Sequence, residues 1–104
     1  MNTSTDQLVQ QIHDSPLRIV LATAGGGSRA IAELLDVPGG SRTLLEALVP
    51  YSAPAMRAFL GFTPDEFCSA STARAMALTA FYRARNIADG AFAAAVACTA
   101  ALAS

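Results

Sequence analysis

An apolar segment that runs directly into three glycines constrains this chain more than any other feature. Residues 17–23 are rich in Ile, Val and Leu without polar alternation, which is typical of a strand buried on both faces. Residues 25–28, Gly-Gly-Gly-Ser, follow at once, and Ile31, Leu34 and Leu35 then recur at helical spacing. The sequence therefore predicts a strand, a glycine loop and a helix, the unit that builds ligand sites at the carboxyl ends of parallel strands.

The other segments predict helices and strands that alternate around this unit. A capping-box pattern starts a short helix at residues 4–13, and periodic apolar residues indicate the clearest helix at residues 70–86. Residues 43–49 and 91–99 are interpreted as strands, the second of them buried, although their composition also suits helix. Thr63 and Glu66 match a further capping box. This alternation predicts an α/β layered domain.

Composition limits the classes of protein to which the chain can belong. Its 104 residues are 53% hydrophobic and 14% charged, enough for one core, so we expect a single domain over residues 1–104. Seven arginines and no lysine against eight acidic residues give a net charge of -1, which argues against binding to nucleic acid. The apolar residues 91–103 fall short of the ~20 that span a bilayer, and the polar start of the chain lacks a leader pattern. We therefore expect a cytoplasmic protein that binds neither nucleic acid nor membrane.

The glycine loop offers backbone N–H groups at the start of a helix, where the helix dipole favours an anion. Its spacing matches neither a Walker loop nor a dinucleotide-binding loop. Two interpretations stay open for the loop: a phosphate or carboxylate site, or a tight turn that needs positive φ. Arg29 either adds a phosphate contact or is a solvated surface charge.

Four consecutive motifs resemble the C-terminal domain of the CinA (competence/damage-inducible) family. That family's pattern is A-E-S-C-T-G-G, then D-V-P-G-S-S, then Y-S-x-x-x-K, then a short L-L-G. The same intervals here carry ATAGGGS at residues 22–28, DVPGGS at 36–41, YSAPAM at 51–56 and FLG at 59–61, with no gap. Beyond residue 61 the likeness weakens to a helix around residues 69–77 and a strand end at residues 99–102.

The resemblance implies a three-layer α/β/α domain around a mostly parallel sheet, as a divergent and shortened member of the family. Active members are nicotinamide-nucleotide amidases, hydrolases of NAD metabolism that convert nicotinamide mononucleotide to nicotinic acid mononucleotide and ammonia. Their Ser-Lys dyad corresponds here to Ala24 and Met56. A methyl group cannot attack an amide and a thioether cannot accept a proton, so no catalytic residue is predicted.

Ligand-facing residues are predicted where the motifs match. The predicted ligand-binding residues are Gly25, Gly26, Gly27, Ser28, Ser41, Tyr51 and Ser52. For Tyr51 the alternative is a buried tyrosine bonded to backbone, and for Ser52 it is the N-cap of a helix. The predicted ligand is nicotinamide mononucleotide or a related phosphate compound, with no cofactor and no metal.

Several other residues are interpreted as structural. Met56 is expected in the core, and His13 is expected to be a surface cap at the end of the first helix. Cys68 and Cys98 are interpreted as small buried residues, with no disulfide framework or zinc site. Glu46 is interpreted as a solvated charge or helix-start residue.

Three functions are compatible with these observations. The favoured one is a catalytically degenerate nucleotide-binding or regulatory domain. The second is an enzyme acting on the same substrate class through another set of residues, drawn from Ser28, Tyr51, Ser52 or a residue of a missing segment or partner chain. The third is an interaction module whose small-residue surfaces, notably residues 91–103, are buried in a homo-oligomer or against the rest of a longer chain.

Overall fold

The computed structural model describes residues 3–88 and 92–100 and contains strands alternating with helices. The elements in chain order are α1 (Thr3–Asp14), β1 (Leu17–Ala24), α2 (Ser28–Asp36), α3 (Gly40–Thr43), β2 (Leu44–Leu48), α4 (Ala53–Leu60), α5 (Ala70–Ala88) and β3 (Phe92–Thr99). The predicted helices and strands are confirmed within a few residues, while the short α3 was not predicted. Residue 91 and residues 101–103, which complete the predicted C-terminal apolar segment, lie outside the described residues.

The three strands form one parallel sheet with the order β2-β1-β3. β1 is the central strand, and its register places Leu17 beside Phe92 and Ala24 beside Thr99. On its other side Ile19 lies beside Leu44, with an irregularity between Ile19 and Val20. All three strands therefore end at the same edge of the sheet, which we call the carboxyl edge.

Successive side chains of β1 point to opposite faces of the sheet, so they pack into two hydrophobic cores, one on each face. Val20, Ala22 and Ala24 pack with Met56 of α4 and with Met76, Ala80 and Ala84 of α5. Ile19 and Leu21 pack on the other face with Val9 of α1 and with Leu34 and Val37 of the α2 region. The sheet thus has helices on both sides, and the predicted α/β/α layering is confirmed.

Local capping chemistry accounts for the ends of α4 and α5. Ser52 Oγ accepts the N–H of Ala55 at 3.2 Å, and Gly61, at φ 86°, closes α4 in the left-handed conformation. Ser69 Oγ accepts the N–H of Thr72 at 3.1 Å at the start of α5. Ser69 therefore caps α5, which begins at Ala70, whereas the predicted capping box at residues 63–66 lies in the connecting segment.

His13 is buried, and its prediction as a surface cap is wrong. Its Nε2 donates to the carbonyl oxygen of Leu34 at 2.9 Å, and its Nδ1 accepts from Thr43 Oγ1 at 2.8 Å in the neutral ring. A carbonyl oxygen can only accept, so Nε2 is the donor to Leu34, and in a ring with one N–H the other nitrogen accepts from Thr43. His13 therefore joins α1 to α2 and α3 at the edge where β1 and β2 begin.

The predicted environments of Glu46 and of β3 are also corrected. Glu46 of β2 is not simply solvated, because its carboxylate accepts from Arg83 Nε at 2.8 Å and Nη2 at 2.5 Å. β3 is only partly buried, so the prediction of a buried strand is wrong. It is the last strand in the order β2-β1-β3 and pairs, among the described strands, with β1 alone. Within the described part of the chain, no helix is long and apolar enough to cross a bilayer.

Candidate functional site

A cavity of about 280 Å³ opens at the carboxyl edge of the sheet. Its lining comes from β1, from the β2–α4 connection, from α4, from the segment before α5 and from the end of β3. The lining residues are Ala24, Tyr51, Ala53, Met56, Phe67, Cys68, Thr99 and Ala100. Ligand pockets of drug-sized molecules are roughly 300–1,000 Å³, so this cavity has room for one ring and its substituents rather than for a whole dinucleotide.

Ala24 and Met56, the two positions that match the family's dyad, line this cavity together. Ala24 is the last residue of β1, and Met56 lies in the first turns of α4. Both are buried, and Met56 is 1% exposed within the core on the α4–α5 side of the sheet. The expectation that Met56 belongs to the core is confirmed. The side chains at these positions offer the cavity a methyl group and a thioether.

Tyr51 and Ser52 enter the site from the connection between β2 and α4. Tyr51 is 63% exposed, so the alternative of a buried tyrosine is wrong, and its ring forms one wall of the cavity. Ser52 is exposed and its hydroxyl caps α4 by accepting from Ala55, which was the alternative considered for it. The structure therefore leaves Tyr51 as the aromatic side chain of this connection that can meet a ligand.

The glycine loop lies beside the cavity and packs against the end of β3. Gly25 and Gly27 have φ 83° and 85°, and a Cβ on Gly25 would lie 2.1 Å from the carbonyl oxygen of Ala100. A Cβ on Gly26 would lie 3.2 Å from the Cβ of Ala100. Positive φ and close backbone approach thus account for these glycines without a ligand. The loop still presents the start of α2 at the carboxyl edge, where Gly27 has no side chain to cap the first N–H groups.

Ser28 and Ser41 occupy opposite edges of the sheet. Ser28 is the exposed first residue of α2, next to the glycine loop. Ser41 is exposed on α3, before β2 begins, and the five residues of β2 separate that end of the sheet from the carboxyl edge by roughly 16 Å. Within one chain the structure therefore brings Ser28 near the cavity and does not bring Ser41 there.

The motifs gave no indication of the segment between α4 and α5, although this segment completes the cavity. Phe67 and Cys68 line it, and Thr99 Oγ1 donates to the carbonyl oxygen of Phe67 at 2.9 Å. Cys68 is exposed, which corrects its prediction as a buried residue, and Cys98 is half-buried beneath the glycine loop. The hydrogen bond joins residues 32 positions apart, so no local sequence pattern reports it.

Among the described residues that line the cavity there is no carboxylate and no histidine. Its polar side chains are the phenol of Tyr51, the thiol of Cys68 and the hydroxyl of Thr99, which is already engaged with Phe67. Across residues 3–88 and 92–100, no group of three or more His, Cys, Asp or Glu side chains could hold a metal ion. The described lining therefore supplies no carboxylate or imidazole that could act as a general base.

Comparison with known structures supports the family resemblance. No protein-family model matches the sequence, and no curated protein matches it. The competence/damage-inducible protein CihA from Agrobacterium tumefaciens is similar in structure, with 25% identity, a TM-score of 0.67 and coverage of 80% of this chain. CinA superfamily proteins from Escherichia coli and Enterobacter cloacae match with 21% and 24% identity, TM-scores of 0.63 and 0.64, and coverage of 77% and 89% of this chain.

The fold of this chain is that of a layered α/β domain built on a parallel sheet, and its structural relatives are CinA superfamily proteins. The chain has the CinA-like fold, as its motifs predicted. It spans only 56%, 49% and 54% of the three solved chains, which is about half of their length.

Proposed function

We propose that this chain is a catalytically degenerate CinA-like domain that binds nicotinamide mononucleotide or a related phosphate compound without hydrolysing it. The observation that carries the proposal is the joint presence of Ala24 and Met56 in one cavity. The two positions that hold reactive groups in the family's motifs lie together, as a dyad requires, but carry unreactive side chains. The cavity therefore retains the two dyad positions, but neither side chain can act as a nucleophile or as a base.

The described residues that line the cavity include no base that could take the place of the family's lysine. Amide hydrolysis needs an activated nucleophile and a group that takes its proton. The chain has seven arginines and no lysine. An arginine side chain stays protonated and cannot serve as a base, which leaves His13 as the one basic side chain that could accept a proton. His13 hydrogen-bonds Leu34 and Thr43 at the opposite edge of the sheet. Binding without turnover is therefore the function that the site supports best.

Two features of the carboxyl edge match the parts of a nicotinamide nucleotide. The exposed ring of Tyr51 can stack on the pyridinium ring, whose positive charge is attracted to an aromatic face. The glycine loop and the first turn of α2 present backbone N–H groups to a phosphate. The cavity between them holds the amide-bearing ring beside Ala24 and Met56, and the phosphate remains near solvent.

A calorimetric titration with nicotinamide mononucleotide tests this proposal, with nicotinic acid mononucleotide as the comparison ligand. We expect saturable binding that weakens about five-fold in Tyr51→Ala, since a partly exposed cation–π contact contributes roughly 1 kcal/mol. Tyr82→Ala is the matched control, because Tyr82 is 55% exposed on α5 and does not line the cavity. Absence of binding to a folded chain, or equal weakening in both variants, would contradict the proposal.

A further inference from the structure

Residues 61–69, the segment between α4 and α5, have two consecutive carbonyl groups that are held by hydroxyl groups of other elements. The carbonyl oxygen of Glu66 accepts from Thr72 Oγ1 in the first turn of α5. The next carbonyl oxygen, that of Phe67, accepts from Thr99 Oγ1 at the end of β3, 2.9 Å away. The backbone at Phe67 is therefore fixed between α5 and β3.

This anchoring presents the ring of Phe67 to the cavity at the carboxyl edge. Phe67 lines that cavity and is 36% exposed, so part of its ring is accessible to a ligand. Phe67 belongs to neither of the two hydrophobic cores that the described residues form. Packing inside a core therefore does not account for a large aromatic ring at this position.

Phe67 and Tyr51 reach the cavity from opposite sides of Ala24. Tyr51 follows β2, Phe67 is bonded to the end of β3, and the strand order places β1, which ends at Ala24, between them. Neighbouring strands lie about 4.8 Å apart, so β2 and β3 are separated by roughly 10 Å. A planar ring between two other rings needs about 7–8 Å, which is twice the contact distance of two carbon atoms. A third ring therefore has room between Tyr51 and Phe67.

We propose that Phe67 is a second ligand-binding ring, which stacks with Tyr51 on the two faces of a planar cationic heteroaromatic ring. Thr99 is the positioning residue that holds Phe67 in place through its hydrogen bond. Aromatic faces attract a cation through their quadrupole, so two faces favour a pyridinium ring over an uncharged ring of similar size. This role of Phe67 rests on the proposed function, because it concerns the ring of the same nucleotide.

Calorimetric titration of the whole 104-residue chain with nicotinamide mononucleotide tests the role of Phe67. We expect Phe67→Leu, which keeps an apolar side chain without an aromatic face, to weaken binding about five-fold, and Phe67→Tyr to weaken it much less. Phe62→Leu is the matched control, because Phe62 is 53% exposed in the same segment and lines a different hollow of the surface. The reduced nucleotide, whose ring carries no positive charge, should bind the unaltered chain less tightly than nicotinamide mononucleotide does.

Thr99→Val tests the positioning role, because it removes the hydrogen bond to Phe67 and keeps the shape of the side chain. We expect this change to weaken binding in the unaltered chain but to add nothing to Phe67→Leu, since residues that act through one another are not additive. Nitrogen-15 relaxation measures the positioning in the free chain, without nucleotide. We expect the backbone order parameters of Phe67 and Cys68 to fall from ~0.85 toward ~0.6 in Thr99→Val.

The outcomes separate the role of Phe67 from the proposed function. Equal affinity in the unaltered chain and Phe67→Leu, or an equal loss in Phe62→Leu, would overturn the role of Phe67 and leave the proposed function standing. Additive losses in Thr99→Val and Phe67→Leu, or unchanged order parameters, would overturn the positioning role of Thr99. Equal affinity for the oxidised and reduced nucleotides would contradict selection of a cation. No binding to a folded, unaltered chain would overturn both this role and the proposed function.

Discussion

At the scale of single residues, the side chains at positions 24 and 56 determine what chemistry the cavity can support. Both are buried at the meeting point of β1 and α4. Their apolar character fits the core that surrounds them, where Val20, Ala22 and Met76 are also buried. An ionisable group at position 56 would have to be desolvated, and desolvation favours the neutral form of a lysine. The packing that suits Met56 would therefore also prepare a lysine to act as a base.

Restoring both family residues tests this account of the cavity. We expect Ala24→Ser with Met56→Lys to lower the free energy of unfolding by about 3–5 kcal/mol, because an unpaired lysine replaces a buried methionine. Urea denaturation measures this loss. We also expect ammonia release from nicotinamide mononucleotide in the double variant and in neither single variant. A folded double variant that stays inactive would show that the cavity lacks other parts of an amidase site.

His13 contributes to stability through its two buried hydrogen bonds. In His13→Ala the hydroxyl of Thr43 and the carbonyl of Leu34 lose these partners, which costs about 1–3 kcal/mol for each buried group. We therefore expect thermal and urea unfolding to show a loss of about 3 kcal/mol. Gln11→Ala is the control, because Gln11 is exposed on the same helix. A loss in His13→Ala no larger than in the control would contradict the assigned role.

Sequence reasoning failed for single residues where distant segments meet. His13 follows apolar positions of a short helix and precedes Asp14, which is the pattern of a surface cap. Its partners are 21 and 30 positions away, and their contact depends on how α1, α2 and α3 pack. Cys68 was misjudged for the same reason. Met56 was predicted correctly because the helical period of its own segment places it on the apolar face.

At the scale of elements, an ion pair joins the outer strand β2 to α5. Arg83 donates two hydrogen bonds to Glu46, and this contact holds the pKa of the Glu46 carboxyl below its ordinary value of 4.5. A lowered pKa in the folded state means that the carboxylate stabilises the fold above pH 4.5. This stabilisation is lost as the pH falls through the folded-state value.

The pH dependence of Glu46→Gln tests this contact. We expect the variant to lose less than about 1 kcal/mol near neutral pH, because both side chains are partly exposed and solvent screens the pair. The difference between the variant and the unaltered chain should shrink as the pH falls below 4.5, and denaturation at several pH values measures it. A constant difference across that range would contradict the ion-pair account.

Elements with local signals were predictable, and elements defined by their neighbours were not. The ends of α4 follow from Ser52, Pro54 and Gly61, whose capping roles depend on the adjacent backbone alone. β1 was predictable because a strand buried on both faces of a sheet is a nearly continuous run of apolar residues, and residues 17–23 form such a run. The exposure of β3 was not predictable, since an alanine-rich strand has the same composition at the centre and at the edge of a sheet. The glycines of residues 25–27 were visible in the sequence, but their packing against Ala100 depends on β3.

At the scale of the whole molecule, parallel topology assembles the cavity from residues far apart in the sequence. β1, β2 and β3 all end at the carboxyl edge, which brings Ala24, Tyr51 and Thr99 around one space. The family motifs predicted the first two of these residues but not the third, because motif matching weakens after residue 61. Ser41 belongs to the same motifs and lies at the opposite edge, so a motif match alone does not place a residue in the cavity.

The proton NMR spectrum of nicotinamide mononucleotide in the presence of the chain tests the central claim most directly, because it reports binding and conversion together. The account predicts that the pyridinium ring signals shift or broaden saturably as the chain is added, and that the nucleotide stays intact over long incubation. Ring signals of nicotinic acid mononucleotide growing with time would contradict the loss of catalysis. Ring signals unchanged by a folded chain would contradict binding.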